Sequence, residues 1–92
     1  MPILKIPTPL RAYTDGRAEI DVAGTNVAEA LAHLIEQYPA LKAHLYSAEG
    51  QLRPFVNLFV GENSIQDLQG LQTPLDEGTR MILIPSIAGG NH

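Results

Sequence analysis

Arg80-Met81-Ile82-Leu83-Ile84-Pro85 runs without a break into Ser86-Ile87-Ala88-Gly89-Gly90-Asn91-His92. Met81 to Ile84 are four apolar residues in a row, the pattern of a strand buried on both faces at the centre of a sheet. The strand is followed almost at once by two glycines. Glycine loses more backbone freedom on ordering than any other residue, so such a pair adds nothing to a core. It suits a slim tail that is threaded into another molecule. The chemistry is then expected at the main-chain carboxyl end and not on a side chain.

Upstream of the last strand, Asp76-Glu77-Gly78 is a turn, and residues 70–78, with two glycines and Pro74, read as a loop. Residues 64–68 read as a short strand or strand-like segment, reached through a tight turn at Gly61-Glu62-Asn63. Phe55-Val56-Asn57-Leu58-Phe59-Val60 is rich in aromatic and β-branched residues and predicts a strong strand. Further upstream, Val27, Ala30, Leu31, Leu34, Ile35 and Tyr38 fall on one helical stripe, with Glu29, His33, Glu36 and Gln37 off it. Thr25 or Asn26 can cap this helix, Asn26 with Glu29 at capping-box spacing, and Pro39 ends it. Residues 40–46 can add a further helical turn or two. Arg17-Ala18-Glu19-Ile20-Asp21-Val22 alternates as a half-buried strand. Residues 2–6 pair with it as a hairpin, Pro7 and Pro9 stopping the first strand and Ala23-Gly24 closing the unit. The order β-β-α-β-β-β predicts an α+β domain, a mixed sheet of four to five strands with one main helix packed across it.

Ninety-two residues make one domain with a modest core. The composition, 45% hydrophobic and 17% charged, is that of a globular chain. The net charge is −4, and the basic residues Lys5, Arg11, Arg17, Lys42, Arg53 and Arg80 are scattered singly, which argues against nucleic-acid binding. Without cysteine there is no disulfide, thiolate zinc site or thiol catalysis. No segment has the length and character of a signal peptide or a membrane span, so no membrane partner is expected and a cytoplasmic location is.

Three segments resemble the ubiquitin-like β-grasp sulfur carriers of the ThiS/MoaD family: Arg53-Pro54-Phe55-Val56-Asn57-Leu58-Phe59-Val60-Gly61-Glu62-Asn63, residues 73–85, and Ser86-Ile87-Ala88-Gly89-Gly90. The resemblance spans essentially the whole chain and is greatest to the actinobacterial CysO-like sub-type, whose starts and tails are similar. It implies a β-grasp domain over residues 1–85 and a flexible tail over 86–92. It also implies a carrier that is not itself an enzyme. An adenylyltransferase related to the ubiquitin-activating enzymes would use ATP and magnesium to turn the Gly90 carboxylate into an acyl adenylate. Sulfur would then displace AMP to leave a thiocarboxylate. No cofactor is bound by the carrier. Activation is needed because an α-carboxyl, with a pKa of ~3.3–3.7, is an unreactive carboxylate at neutral pH. At ~3.3–3.6 Å per residue, residues 86–90 can reach roughly 17 Å from the body. Ala88 and Gly89 would thread a narrow channel, because small residues let the backbone come close to a nucleotide. Asn91 and His92 depart from the family pattern, since they hold Gly90 in a peptide bond. The expectation is that a JAMM-type zinc peptidase cuts between Gly90 and Asn91. The sulfur would pass to a pyridoxal-phosphate-dependent or other sulfur-accepting enzyme, in cysteine, methionine or other metabolite biosynthesis. Two other roles are open: the small subunit of molybdopterin synthase, and a protein modifier conjugated through Gly90.

Phe55, Asn57 and Phe59 share one face of their strand, and Val56, Leu58 and Val60 the other. One set must face the helix. The set left on the open face is an expected partner surface, which in the resembling proteins docks the activating and acceptor enzymes, with Arg53 and Arg80 as its rim. His33, His44 and His92 lack zinc-site spacing and read as surface histidines, His92 within the removable tail. Asp76 and Glu77 read as turn residues, and Gly61, Gly70 and Gly78 do not have phosphate-loop spacing. No catalytic side chain and no metal site is expected.

Overall fold

A computed structural model describes residues 1–54 and 56–85. Strand β1 (Ile3–Lys5) stops before Pro7 and Pro9, which cannot donate to a ladder. The chain turns there into a 3-10 helix, Thr8–Tyr13, that periodicity did not reveal. Leu10 plugs the end of the core from this segment. Thr14 is fully buried, its hydroxyl 3.0 Å from Arg17 O and 3.3 Å from Arg11 O. Asp15 and Gly16 follow with positive φ and carry the turn into β2 (Glu19–Asp21). Thr14-Asp15-Gly16, a turn signal in the sequence, thus lies between β1 and β2, while Ala23-Gly24 leads from β2 to the helix.

Helix α1 (Val27–Gln37) starts where expected, and of the two candidate caps it is Asn26 that serves. The Asn26 side chain accepts from Glu29 N at 2.9 Å, satisfying one of the helix's free amides. Glu29 reaches back, but one residue further than in a standard capping box. Its Oε1 accepts from Thr25 N (2.8 Å) and Thr25 Oγ1 (2.9 Å). These bonds hold its carboxyl below the usual carboxylate range. Val27, Ala30, Leu31 and Leu34 bury the apolar stripe, while Ile35 and Tyr38 lie half-buried at its margin. After Pro39 come a 3-10 turn (Pro39–Leu41) and the single turn α2 (Lys42–Leu45), which bury Leu41 and Leu45.

Strands β3 (Val56–Val60), β4 (Asn63–Ser64) and β5 (Arg80–Pro85) complete a mixed sheet of order β2-β1-β5-β3-β4. β1 and β5 are parallel; the remaining pairs are antiparallel. The strand expected over 64–68 ends after two residues. There Ser64 Oγ accepts from Gln66 N and starts a 3-10 helix, Ile65–Asp67. The expected loop 70–78 contains another, Gly70–Gln72. Thr73 is buried behind it, its hydroxyl donating to Gly70 O at 2.7 Å and accepting from Gln69 N at 3.1 Å. Residues 73–75 then strap the start of α1: Val27 N donates to Thr73 O, and Leu75 N to Thr25 O.

The core lies between α1 and one sheet face, formed by Leu4, Ile20, Val56, Leu58, Met81 and Leu83. β5 is central in order, yet its apolar run is not buried on both sides. Met81 and Leu83 are buried, whereas Ile82 and Ile84 are 37% and 44% exposed. The correction has a simple cause: α1 covers one face of the sheet, and no described element covers the other.

Candidate functional site

The open face of the sheet is the one that no described element covers, and β5, the last described strand, runs through its middle. β5 is hydrogen-bonded on one side to β1 and on the other to β3, so its end at Pro85 lies between two strands and not at a sheet edge. Register fixes what surrounds that strand. Phe59 lies opposite Ile82, and Asn57 opposite Ile84. On the other side Lys5 lies opposite Ile82, and Ile3 opposite Arg80. Because strand side chains alternate, all of these share the face away from α1. Val56 and Leu58 take the helix side, which settles the choice that the strand pattern left open.

The result is an apolar strip, Phe59–Ile82–Ile84, on the paired strands β3 and β5. β2 borders it with Glu19 and Asp21, which face Lys5 and Ile3 in register. Arg80 reaches across β1 to Glu19, its Nη2 donating to Oε2 at 2.9 Å. Both ends of that pair are well exposed, so its value lies in fixing the guanidinium at the rim and not in stability. Beyond the end of β1, the Thr8–Tyr13 segment rises as a wall. A groove of about 310 Å³ runs between it and the end of β5, lined by Lys5, Pro7, Pro9, Arg11, Ile82 and Ile84 among others.

The structure brings Asn57, Phe59 and Arg80 together on this face. Arg53 lines a separate hollow with Asn57 and does not join Phe59 and Arg80. Arg53 Nε donates at 3.0 Å to Ala43 O, a carbonyl that the one-turn helix α2 leaves free, and this bond holds the side chain at α2. Phe55, Ala88, Gly89, Gly90 and Asn91 lie outside the described residues. Sequence reasoning missed Ile82, Ile84, Lys5 and Arg11. A continuous apolar run carries no alternation to tell its faces apart, and the groove wall arises from a 3-10 turn with no sequence period.

His33 is more than a surface residue. It is half-buried, and its Nδ1 accepts from Ala23 N at 2.8 Å, tying the β2–α1 connection to the helix. His44 stacks on Tyr13, ring centroids 4.3 Å apart. Among the described residues no group of three or more His, Cys, Asp or Glu is placed to hold a metal ion. Asp76 and Glu77 do act in the turn: Asp76 N donates to Thr79 Oγ1 at 3.0 Å, and Glu77 pairs with the Met1 amino group. That cation holds the Glu77 carboxyl below its ordinary range. No helix is long and apolar enough to cross a membrane among the described residues.

A five-stranded mixed sheet grasping one helix, with the last strand central and a Gly-Gly segment beyond it, defines a ubiquitin-like β-grasp protein. The ThiS family model matches residues 4–90, and the chain belongs to that family. The chain is 29% identical over 89 residues to the sulfur carrier protein CysO of Mycobacterium tuberculosis, covering 95% of this chain and 96% of the relative. It is 31% identical over 64 residues to small archaeal modifier protein 3 of Haloferax volcanii, covering 70% of this chain and 68% of that protein. Among solved structures it superposes on the Amycolatopsis orientalis BexX/CysO complex with a TM-score of 0.88 at 28% identity. That alignment covers 98% of this chain and 100% of the matched one.

Proposed function

We propose that this chain is a sulfur carrier that works through a thiocarboxylate at Gly90. The observation that carries the reading is the family match, which extends past the last strand and through the Gly-Gly pair to residue 90. Relatives of nearly the same length bear the name sulfur carrier protein. The geometry suits the task, since the last described strand ends between two others and carries the exposed Ile82 and Ile84.

In this reading a JAMM-type zinc peptidase first hydrolyses the Gly90–Asn91 bond. A ubiquitin-activating-type adenylyltransferase, using ATP together with magnesium, then joins the freed carboxylate to the α-phosphorus of ATP and releases pyrophosphate. A sulfur donor displaces AMP from the acyl adenylate, forming the C–S bond of the thiocarboxylate. The thiocarboxylate sulfur is finally taken up by a pyridoxal-phosphate-dependent or other acceptor enzyme in amino-acid or related biosynthesis. The strip of Phe59, Ile82 and Ile84 docks these enzymes, and residues 86–90 thread their active sites. Intact-mass measurement tests the sequence of events. Peptidase treatment should remove Asn91-His92, and incubation with the adenylyltransferase, ATP and a sulfide source should replace one oxygen by sulfur. Equal sulfur loading of chain still ending at His92 would refute the processing step.

A second reading is favoured by the match to a small archaeal modifier protein: conjugation through Gly90 to lysines of other proteins. Isolation of lysine adducts bearing a Gly-Gly remnant from the native host would support it over the carrier reading.

A further inference from the structure

Lys5 and Arg11 are singled out by their surroundings. On the open face the other cation, Arg80, is already paired with Glu19. Lys5 faces Glu19 in register, but that carboxylate is held by Arg80, and no described residue forms an ion pair with Lys5. Arg11 uses only Nε, donating to Ile6 O at 3.0 Å, and no ion pair involves its guanidinium among the described residues. Both line the groove between the 3-10 wall and β5, and the rest of its lining is largely apolar: Ile6, Pro7, Pro9 and the Ile82–Ile84 stretch. A chain of net charge −4 therefore presents two uncompensated cations beside an apolar hollow, next to the last described strand. A free phosphate could meet Lys5 and Arg11, but Pro7 and Pro9 add no main-chain N–H to hold it, and it would leave the apolar lining without a partner. A carboxylate beside an apolar side chain fits both features.

We propose that this groove receives an acidic segment of the activating adenylyltransferase, one apolar side chain entering the hollow and a neighbouring carboxylate meeting Lys5 and Arg11. The proposal rests on the carrier reading above and names the chemistry of its partner surface. Exposed charges at such a rim set association and its salt dependence more than the chemical step.

The test follows adenylation by pyrophosphate exchange, with the processed chain ending at Gly90 and the adenylyltransferase of the same host, over a sodium chloride series. Lys5→Glu/Arg11→Glu should raise KM at low salt by roughly tenfold, leave kcat unchanged and flatten the salt dependence. Arg17→Glu, an exposed charge away from the groove, should leave all three as they were. If Arg11→Glu unfolds the chain by losing its bond to Ile6, Lys5→Glu alone carries the test, since Lys5 makes no side-chain hydrogen bond among the described residues. A double variant with wild-type KM overturns the proposal, as does an Arg17→Glu effect of equal size, which would mark a mere response to net charge. A wild-type chain that is not adenylated at all overturns the carrier reading and this proposal with it.

Discussion

Gly24 sits where the start of α1 leaves no room for a side chain. A Cβ there would lie 2.7 Å from Ala30 N and 2.9 Å from Glu29 Cβ. The obstacle is helix backbone, which cannot swing aside as a side chain would. Gly24→Ala should therefore cost about 1–3 kcal/mol in urea unfolding. Two residues on, Asn26→Ala should cost about 1 kcal/mol by leaving Glu29 N without its cap. The carboxylates of Glu29 and Glu77 give the chain an acid limb with a definite sign. Both are held below the ordinary carboxylate range in the folded state, so the unfolded chain binds more protons as pH falls. Their stabilisation is full above the usual carboxylate pKa and is lost as pH drops through the lower folded values. Glu29→Gln should lower the melting temperature at neutral pH and make stability less steep in acid; an unchanged acid slope would show that the reach to Thr25 does not matter. At this scale the sequence was partly legible. Asn26 and Glu29 announced the cap by spacing, but nothing in the chain around Arg53 showed that α2 would offer it a free carbonyl.

β5 shows what periodicity can and cannot tell. Its length and its central position followed from its apolar run, and its two faces did not, because Met81-Ile82-Leu83-Ile84 contains no polar residue to mark one side. Only the arrangement of α1 on a single face separates Met81 and Leu83 from Ile82 and Ile84. The difference is measurable. Leu83→Asp buries a carboxylate without a partner and should abolish cooperative folding. Ile84→Asp places the same group in water, so its thermal melt should stay close to wild type, while the KM for adenylation rises at least about tenfold if the strip docks the enzyme. The short elements were the least legible. Thr8–Tyr13, Ile65–Asp67 and Gly70–Gln72 are 3-10 turns set by proline, capping hydroxyls and tertiary bonds. None is long enough to show a period.

Among the described residues there is one core with one long helix packed on it, and it has little redundancy. Leu31 is fully buried between α1 and the sheet. Leu31→Ala should cost about 2–5 kcal/mol, a large share of what a domain of this size has, and urea titration would show the loss as an earlier midpoint at constant slope. Gly89→Ala and Gly90→Ala should instead leave the unfolding curve untouched and depress adenylation. Normal activation of both variants would defeat the threading argument. The overall order of elements could be read from the chain because each long segment's local pattern agreed with the fold. The groove beside β5 could not, since it is assembled from β1, β5 and a turn that lie far apart in sequence.

The parallel pairing of β1 with β5 also has a mechanical meaning. The two strands run side by side in the same direction, so a pull on the departing tail against a body held at its N-terminal side slides one strand along the other. The load is then shared by the hydrogen bonds of the ladder together, with the antiparallel β3 on the far side of β5 adding its own. A strand drawn from a sheet edge would unzip bond by bond; this one is loaded in shear. A force applied beyond Pro85 is therefore resisted by the whole ladder at once.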